Sequence, residues 1–151
     1  MVLYRITHER WSNTLVASPY GARWNSPGIG VIYTASSRSL ACLENIVHRK
    51  QTEFTKRYKS TVIYLPDDLK REILSLSDLP SQWYEPSEHG YLVCRRFGDT
   101  WAVHKSSVAL IVPSAIIKNE YNILLNVDHE DFHSIKIVDV ESFFFDPRFK
   151  K

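Results

Sequence analysis

Long apolar runs are missing from this 151-residue chain, and so is an excess of charge of one sign. No stretch approaches the ~18 apolar residues of a membrane span. The opening MVLYRITHERW carries charges but no apolar core, so no secretory leader is expected and a cytoplasmic protein is. Lys and Arg number 19 against 17 Asp and Glu, a net charge of +2. That balance lacks the concentrated basic charge of a phosphate-backbone binder, so no direct nucleic-acid contact is expected. Only two cysteines occur, Cys42 and Cys94, which excludes a disulfide framework and points to a reduced pair. There is no CxxC, and the six histidines are scattered, so no metal is expected. Glycine is scarce too. Of five glycines, three fall in the single stretch 18–30. Gly28-Ile29-Gly30 is not GxGxxG and precedes a strand, which removes the dinucleotide-fold fingerprint, and no Walker A motif exists.

What is present is ordinary globular material. Hydrophobic residues make up 44% and charged residues 24%, enough to exclude disorder. The length fits one domain, residues 1–151, burying roughly 68–70% of its unfolded surface. Val2–Ile6 is a short β-prone run. SPYGARWNSPGIG, residues 18–30, reads as an irregular loop. Val31–Thr34 follows as a strand with Val31 and Tyr33 on one face and Ile32 on the other. Ser36-Ser37 caps a helix over RSLACLENIVHRK whose apolar stripe is Leu40, Leu43, Ile46 and Val47. Thr61–Leu65 is a strand ended by Pro66. DDLKREIL reads as a short helix, and residues 91–105 as another. Val108–Val112, Ile123–Val127 and Ile135–Val140 are further strands. Strands outnumber helices without alternating regularly with them. The expected class is therefore α+β, with mostly antiparallel sheets and flanking helices.

His129-Glu130-Asp131-Phe132-His133 matches HExxH, in which two His on one helical face bind zinc. Between ILLNV and IKIVDV there is room for about two helical turns at most. The match therefore reads as a polar connection between strands.

Several residues stand out by position. Arg23 sits in the Gly/Pro-bounded loop beside Trp24 and Asn25, and Tyr33 lies on the strand that follows. Glu44 lies mid-helix beside the apolar stripe, where a carboxylate is partly desolvated unless something pairs with it. Ser114 follows a strand and a proline, and Arg5 sits in the first β-prone run. Taken singly, each has a structural reading: a loop ion pair, a core aromatic, a pairing with His48, a turn cap, a strand arginine. Together they supply a guanidinium for phosphate, an aromatic face, a carboxylate and a hydroxyl.

The order of short motifs resembles the RES domain family, the toxin half of Xre–RES toxin–antitoxin pairs. The matching stretches are YRI at Tyr4–Ile6, GARWNSPG at Gly21–Gly28, IYTASS at Ile32–Ser37 and LACLE at Leu40–Glu44. They continue with VPSAI at Val112–Ile116, EYNILLN at Glu120–Asn126, His129 with Asp131-Phe132, and FDPR at Phe145–Arg148. The departures (GAR for GGR, Val127 in place of a proline, FDPRF for FDPRL) all lie outside the polar set.

The resemblance implies a fold similar to ADP-ribosyltransferase toxins and a catalytic domain that binds NAD as substrate, with no further cofactor. It implies that Arg23, Tyr33, Glu44 and Ser114 are catalytic, and that Arg5 and Asn122 join Arg23, Tyr33 and Ser114 in holding NAD. The implied activity is cleavage of the nicotinamide–ribose bond, with water, phosphate or a protein side chain as acceptor. The implied partner is an Xre-type helix-turn-helix antitoxin, with a homodimer of this chain inside that complex. An RNA-acting toxin and a non-catalytic nucleotide-binding module are the alternative readings.

Overall fold

The computed structural model describes residues 1–48 and 57–149. The strands are β1 (Val2–His8), β2 (Val31–Ala35), β3 (Tyr58–Tyr64), β4 (Arg71–Ile73), β5 (Ala109–Pro113), β6 (Tyr121–Asn126) and β7 (Lys136–Phe143). Helix α1 spans Arg38–His48 and α2 spans Glu88–His104. The seven strands form one sheet in the order β4-β5-β6-β2-β1-β3-β7. Every neighbouring pair is antiparallel except β4–β5, which is parallel. The α+β expectation is met, and no helix among the described residues is long and apolar enough to cross a membrane.

The ladder is uneven. β1 pairs with β3 over its whole length, Val2 to His8. β2 pairs with β6 from Val31 to Ala35. Between β1 and β2 only Tyr4 and Ala35 are in register. The sheet is thus two halves, β4-β5-β6-β2 and β1-β3-β7, joined at one rung and splayed along the seam.

Burial explains the layers. Val31, Leu110, Val112 and Leu124 pack with Trp24, Trp83, Cys94, Trp101 and Ala102, so α2 and the segment before it cover one face of the larger half. The opposite face buries Leu3, Ile32, Ile63, Ala109, Ile123 and Leu125 under loop residues including Leu15, Ala17 and Phe132. Helix α1 straddles the seam. Leu40, Ala41, Cys42 and Ile46 pack against Ile6 of β1, Ala35 of β2, Tyr58 of β3 and Phe145.

Three readings needed correction. DDLKREIL is no helix: Arg71–Ile73 is β4, because its backbone finds a parallel partner in Ala109–Ile111. Val47 is exposed rather than part of the α1 stripe, and Ala41 and Cys42 take its place in the core. The second helix begins earlier than residue 91, at Glu88, capped by Ser87 accepting from Gly90 N–H. The Ser37 cap on α1 holds, with Leu40 N–H donating to its Oγ at 3.1 Å. The last two residues of the expected helix, 49 and 50, lie outside the described residues.

Candidate functional site

A cleft of about 740 Å³ runs along the seam. Consecutive residues line it, Tyr4–Thr7 on β1 and Val31–Ala35 on β2. Alternate residues of a strand point to opposite faces, so consecutive lining means that the two strand edges form its walls. Glu44 and His48 of α1, the loop residues Tyr20–Trp24, Tyr91, Ala115 and Asn122 complete it. Arg5, Arg23, Tyr33, Glu44 and Asn122 all border this one cleft. Ser114 reaches it through Glu44.

Glu44 is held from below. Ser114 Oγ–H donates to its Oε1 at 3.1 Å and Asn122 Nδ2 donates to the same oxygen at 2.5 Å. Among the described residues nothing donates to Oε2. Ser114 is itself buried, and its hydroxyl also accepts from the N–H groups of Ile116 and Ile117, both at 3.1 Å. One donor and two acceptor positions are then all used. The hydroxyl ties the turn after β5 to the carboxylate.

Tyr33 organises the loop. Its hydroxyl donates to Asn25 Oδ1 at 2.7 Å and accepts from Trp24 N–H at 2.9 Å. Burial pushes its phenol well above the ordinary tyrosine range, so it stays neutral. Asn25 is itself buried and donates from Nδ2 to Ile29 O at 2.9 Å. Ser26 donates from N–H and Oγ–H to the two Asp99 oxygens, at 2.8 and 2.6 Å, and Arg95 Nε donates to Ala22 O at 2.9 Å. The loop is therefore fastened to α2 at both ends of RWN.

The two arginines differ. Arg23 donates from Nη1 to Trp83 O at 2.8 Å and Glu85 O at 3.2 Å, and its guanidinium lies 4.6 Å from the centre of the Tyr91 ring. It clamps the segment before α2 to the cleft wall. Arg5 donates from Nη2 to Val16 O at 3.2 Å, while its Nη1 is buried with no hydrogen-bond partner. Burial lowers the Arg5 pKa from its ordinary value. A buried guanidinium nitrogen with nothing to bond costs free energy.

The HExxH segment is elsewhere. His129 caps a five-residue 3-10 helix, Glu130–Ser134, by accepting from Asp131 N–H at 3.1 Å. His133 is exposed and bonded to Glu130 O. No group of three metal-ligating side chains exists among the described residues. Cys42 and Cys94 are buried free thiols. Reading the sequence missed Asn25, Tyr91, Arg95 and Asp99 as parts of the site. Only Asn25 carried a signal, its place between Arg23-Trp24 and a turn.

A family model described as the RES domain matches residues 2–146. The chain is 36% identical over 155 residues to "Toxin Res" of Yersinia enterocolitica serotype O:8, covering 99% of this chain and 100% of that protein. It is 36% identical over 130 residues to "Prs ADP-ribosylating toxin" of Sphingobium sp. (strain YBL2), covering 85% and 80%. The fold is similar to a chain of the M. tuberculosis MbcT–MbcA toxin–antitoxin complex, with a TM-score of 0.75 at 14% identity over 95% of this chain and 84% of that one.

Proposed function

The chain belongs to the RES domain family of toxins, and from that premise we propose that it cleaves the nicotinamide–ribose bond of NAD. The observation that carries the reading is the meeting, in one cleft, of a carboxylate fixed through one oxygen and two arginines, Arg5 and Arg23.

NAD presents a pyridinium on ribose. Cleavage breaks the bond between ribose C1′ and the ring nitrogen, and the electron pair leaves with neutral nicotinamide. Positive charge develops on the ribose C1′–O4′ unit as it does so. Glu44 sits where its unengaged Oε2 can face that charge or hold a ribose hydroxyl. Ser114 and Asn122 act through Glu44: two donors on Oε1 fix the carboxylate's rotation before substrate arrives. Arg5 and Arg23, both on the cleft wall, take pyrophosphate oxygens. Tyr33 gives a ring to the cleft wall and holds Trp24 and Asn25 in place. The acceptor, whether water, phosphate or a protein nucleophile, adds at C1′ and releases its proton.

A cleft of this chemistry requires silencing in its own cell. An Xre-type antitoxin would do so by placing an anionic group on Arg5 or Arg23, where it accepts the hydrogen bonds that pyrophosphate would accept. The Sphingobium relative's name includes ADP-ribosylation, which keeps transfer to protein beside hydrolysis and phosphorolysis.

The test is purified protein with NAD, with and without phosphate, reading nicotinamide and the fate of ADP-ribose. Nicotinamide release is expected. Folded Glu44→Gln is expected to lose ~10²–10³ in rate. Near wild-type turnover by folded Glu44→Gln would sink the proposal.

A further inference from the structure

We propose that Tyr20 is an adenine-stacking platform on the wall of the cleft. The inference rests on the NAD reading above and adds a residue that reading does not use.

Tyr20 lines the cleft, yet its side chain is 79% exposed. It touches no ring among the described residues. An exposed tyrosine gains almost nothing in the free protein, but it offers a large flat face with few torsions to freeze. The backbone beneath it is fixed on both sides. Tyr20 N–H donates to Ser18 Oγ at 3.3 Å, and Gly28 N–H donates to Pro19 O at 3.2 Å. Ala22 N–H donates to Asn25 O at 2.9 Å, and Ala22 O accepts from Arg95. The ring is therefore presented by a pinned turn.

Its place along the cleft decides which part of a dinucleotide it meets. Glu44 is anchored to β6 and the turn after β5 through Asn122 and Ser114. Arg5 also lines the cleft and its Nη2 bonds Val16 O in the connection that leads to Tyr20, while Arg23 follows Tyr20 by three residues in the same loop. A dinucleotide with its nicotinamide ribose at Glu44 on α1 and its pyrophosphate on Arg5 and Arg23 has its adenine half left to meet the loop that holds Tyr20. A purine stacks on any aromatic face, and such contacts are commonly worth a substantial loss on truncation.

The experiment compares two substrates and one ligand. NAD and nicotinamide mononucleotide share the reacting bond, but only NAD has adenine. Tyr20→Ala is expected to lower kcat/KM for NAD roughly 5- to 150-fold through KM, and to weaken ADP-ribose binding by a similar factor. With nicotinamide mononucleotide the change is expected to stay within about 2-fold, and Tyr20→Phe is expected to restore ADP-ribose binding. Equal losses on both substrates, or none on NAD, would overturn the platform. If wild-type protein cleaves neither substrate, the NAD reading fails, and ADP-ribose titration still decides on Tyr20. Affinity unchanged in Tyr20→Ala, or no binding by the wild type, would dispose of it.

Discussion

Adding one methyl group to Gly98 makes a sharp test of how the loop is seated. Gly98 lies inside α2, where helix propensity alone favours alanine by about 1 kcal/mol. The packing says the opposite. A Cβ at Gly98 would stand 1.8 Å from Trp24 O and 2.8 Å from its carbonyl carbon. An ordinary carbon–oxygen approach is about 3.3 Å, so the loop backbone must retreat by roughly 1.5 Å. That displacement pulls Trp24 N–H from the Tyr33 hydroxyl, now at 2.9 Å, and strains the Ser26–Asp99 pair. Overpacking of this kind costs ~3 kcal/mol, and a lost hydrogen bond ~1 kcal/mol more. After the propensity gain, a net loss of about 2–3 kcal/mol is expected. For a domain of this size the melting temperature should fall by roughly 5–10 °C. Thermal unfolding followed by circular dichroism reads it directly, and NAD turnover at 25 °C should fall because the cleft wall has moved. An unchanged or raised melting temperature in Gly98→Ala would refute the packing argument.

Other outcomes follow from the same contacts. Ser114→Ala and Asn122→Ala should each lower kcat about tenfold with little change in KM, and the double variant should lose less than the product, since both act through Glu44 Oε1; additive losses in single-turnover kinetics would separate their roles. Arg5→Met should abolish pyrophosphate binding by calorimetry while leaving the melting temperature unchanged or higher, because it removes a buried nitrogen without a partner; a large destabilisation would mean that Arg5 is structural. Zinc or a chelator should leave turnover within a few-fold, and so should His133→Ala; stoichiometric zinc lost with activity in that variant would revive the metal reading. Arg148 holds the Asp146 carboxyl down to about 2. A depressed carboxylate contributes stability above its ordinary pKa and loses it as pH falls toward about 2. In Arg148→Ala the Asp146 carboxyl, followed by NMR, should rise toward the ordinary aspartate value but stay below it, because the N–H of residue 148 still donates to Oδ1.

Local patterns made six of the seven strands, both helices and the cleft residues on β2 and α1 legible. The alternation of Val31, Ile32 and Tyr33 fixes which side chains share a face before any fold is known. Glu44 shows the limit. Its position beside an apolar stripe flagged a desolvated carboxylate, but its partners lie 70 and 78 residues further on, where no periodicity points back to α1. DDLKREIL failed for the same reason. Three residues of β4 become strand only because β5 offers its edge, and a pairing partner that distant leaves no local trace. Arg23 was legible as a cleft residue, whereas its clamp on two carbonyls of the 83–85 segment depends on where an irregular segment happens to run.

The single rung between β1 and β2 also bears on what a broken chain could do. The seam looks like a domain boundary, yet the polypeptide crosses it again and again: from β1 to β2, from β2 through α1 to β3, from β3 to β4, and from β6 to β7. Cutting the chain between β2 and β3, or between β3 and β4, leaves each fragment holding strands from both sides of the cleft and completing neither. A prematurely terminated product therefore carries no working cleft, however much of the sequence it retains before β6. Two such fragments supplied together would have to rebuild both halves at once to recover one.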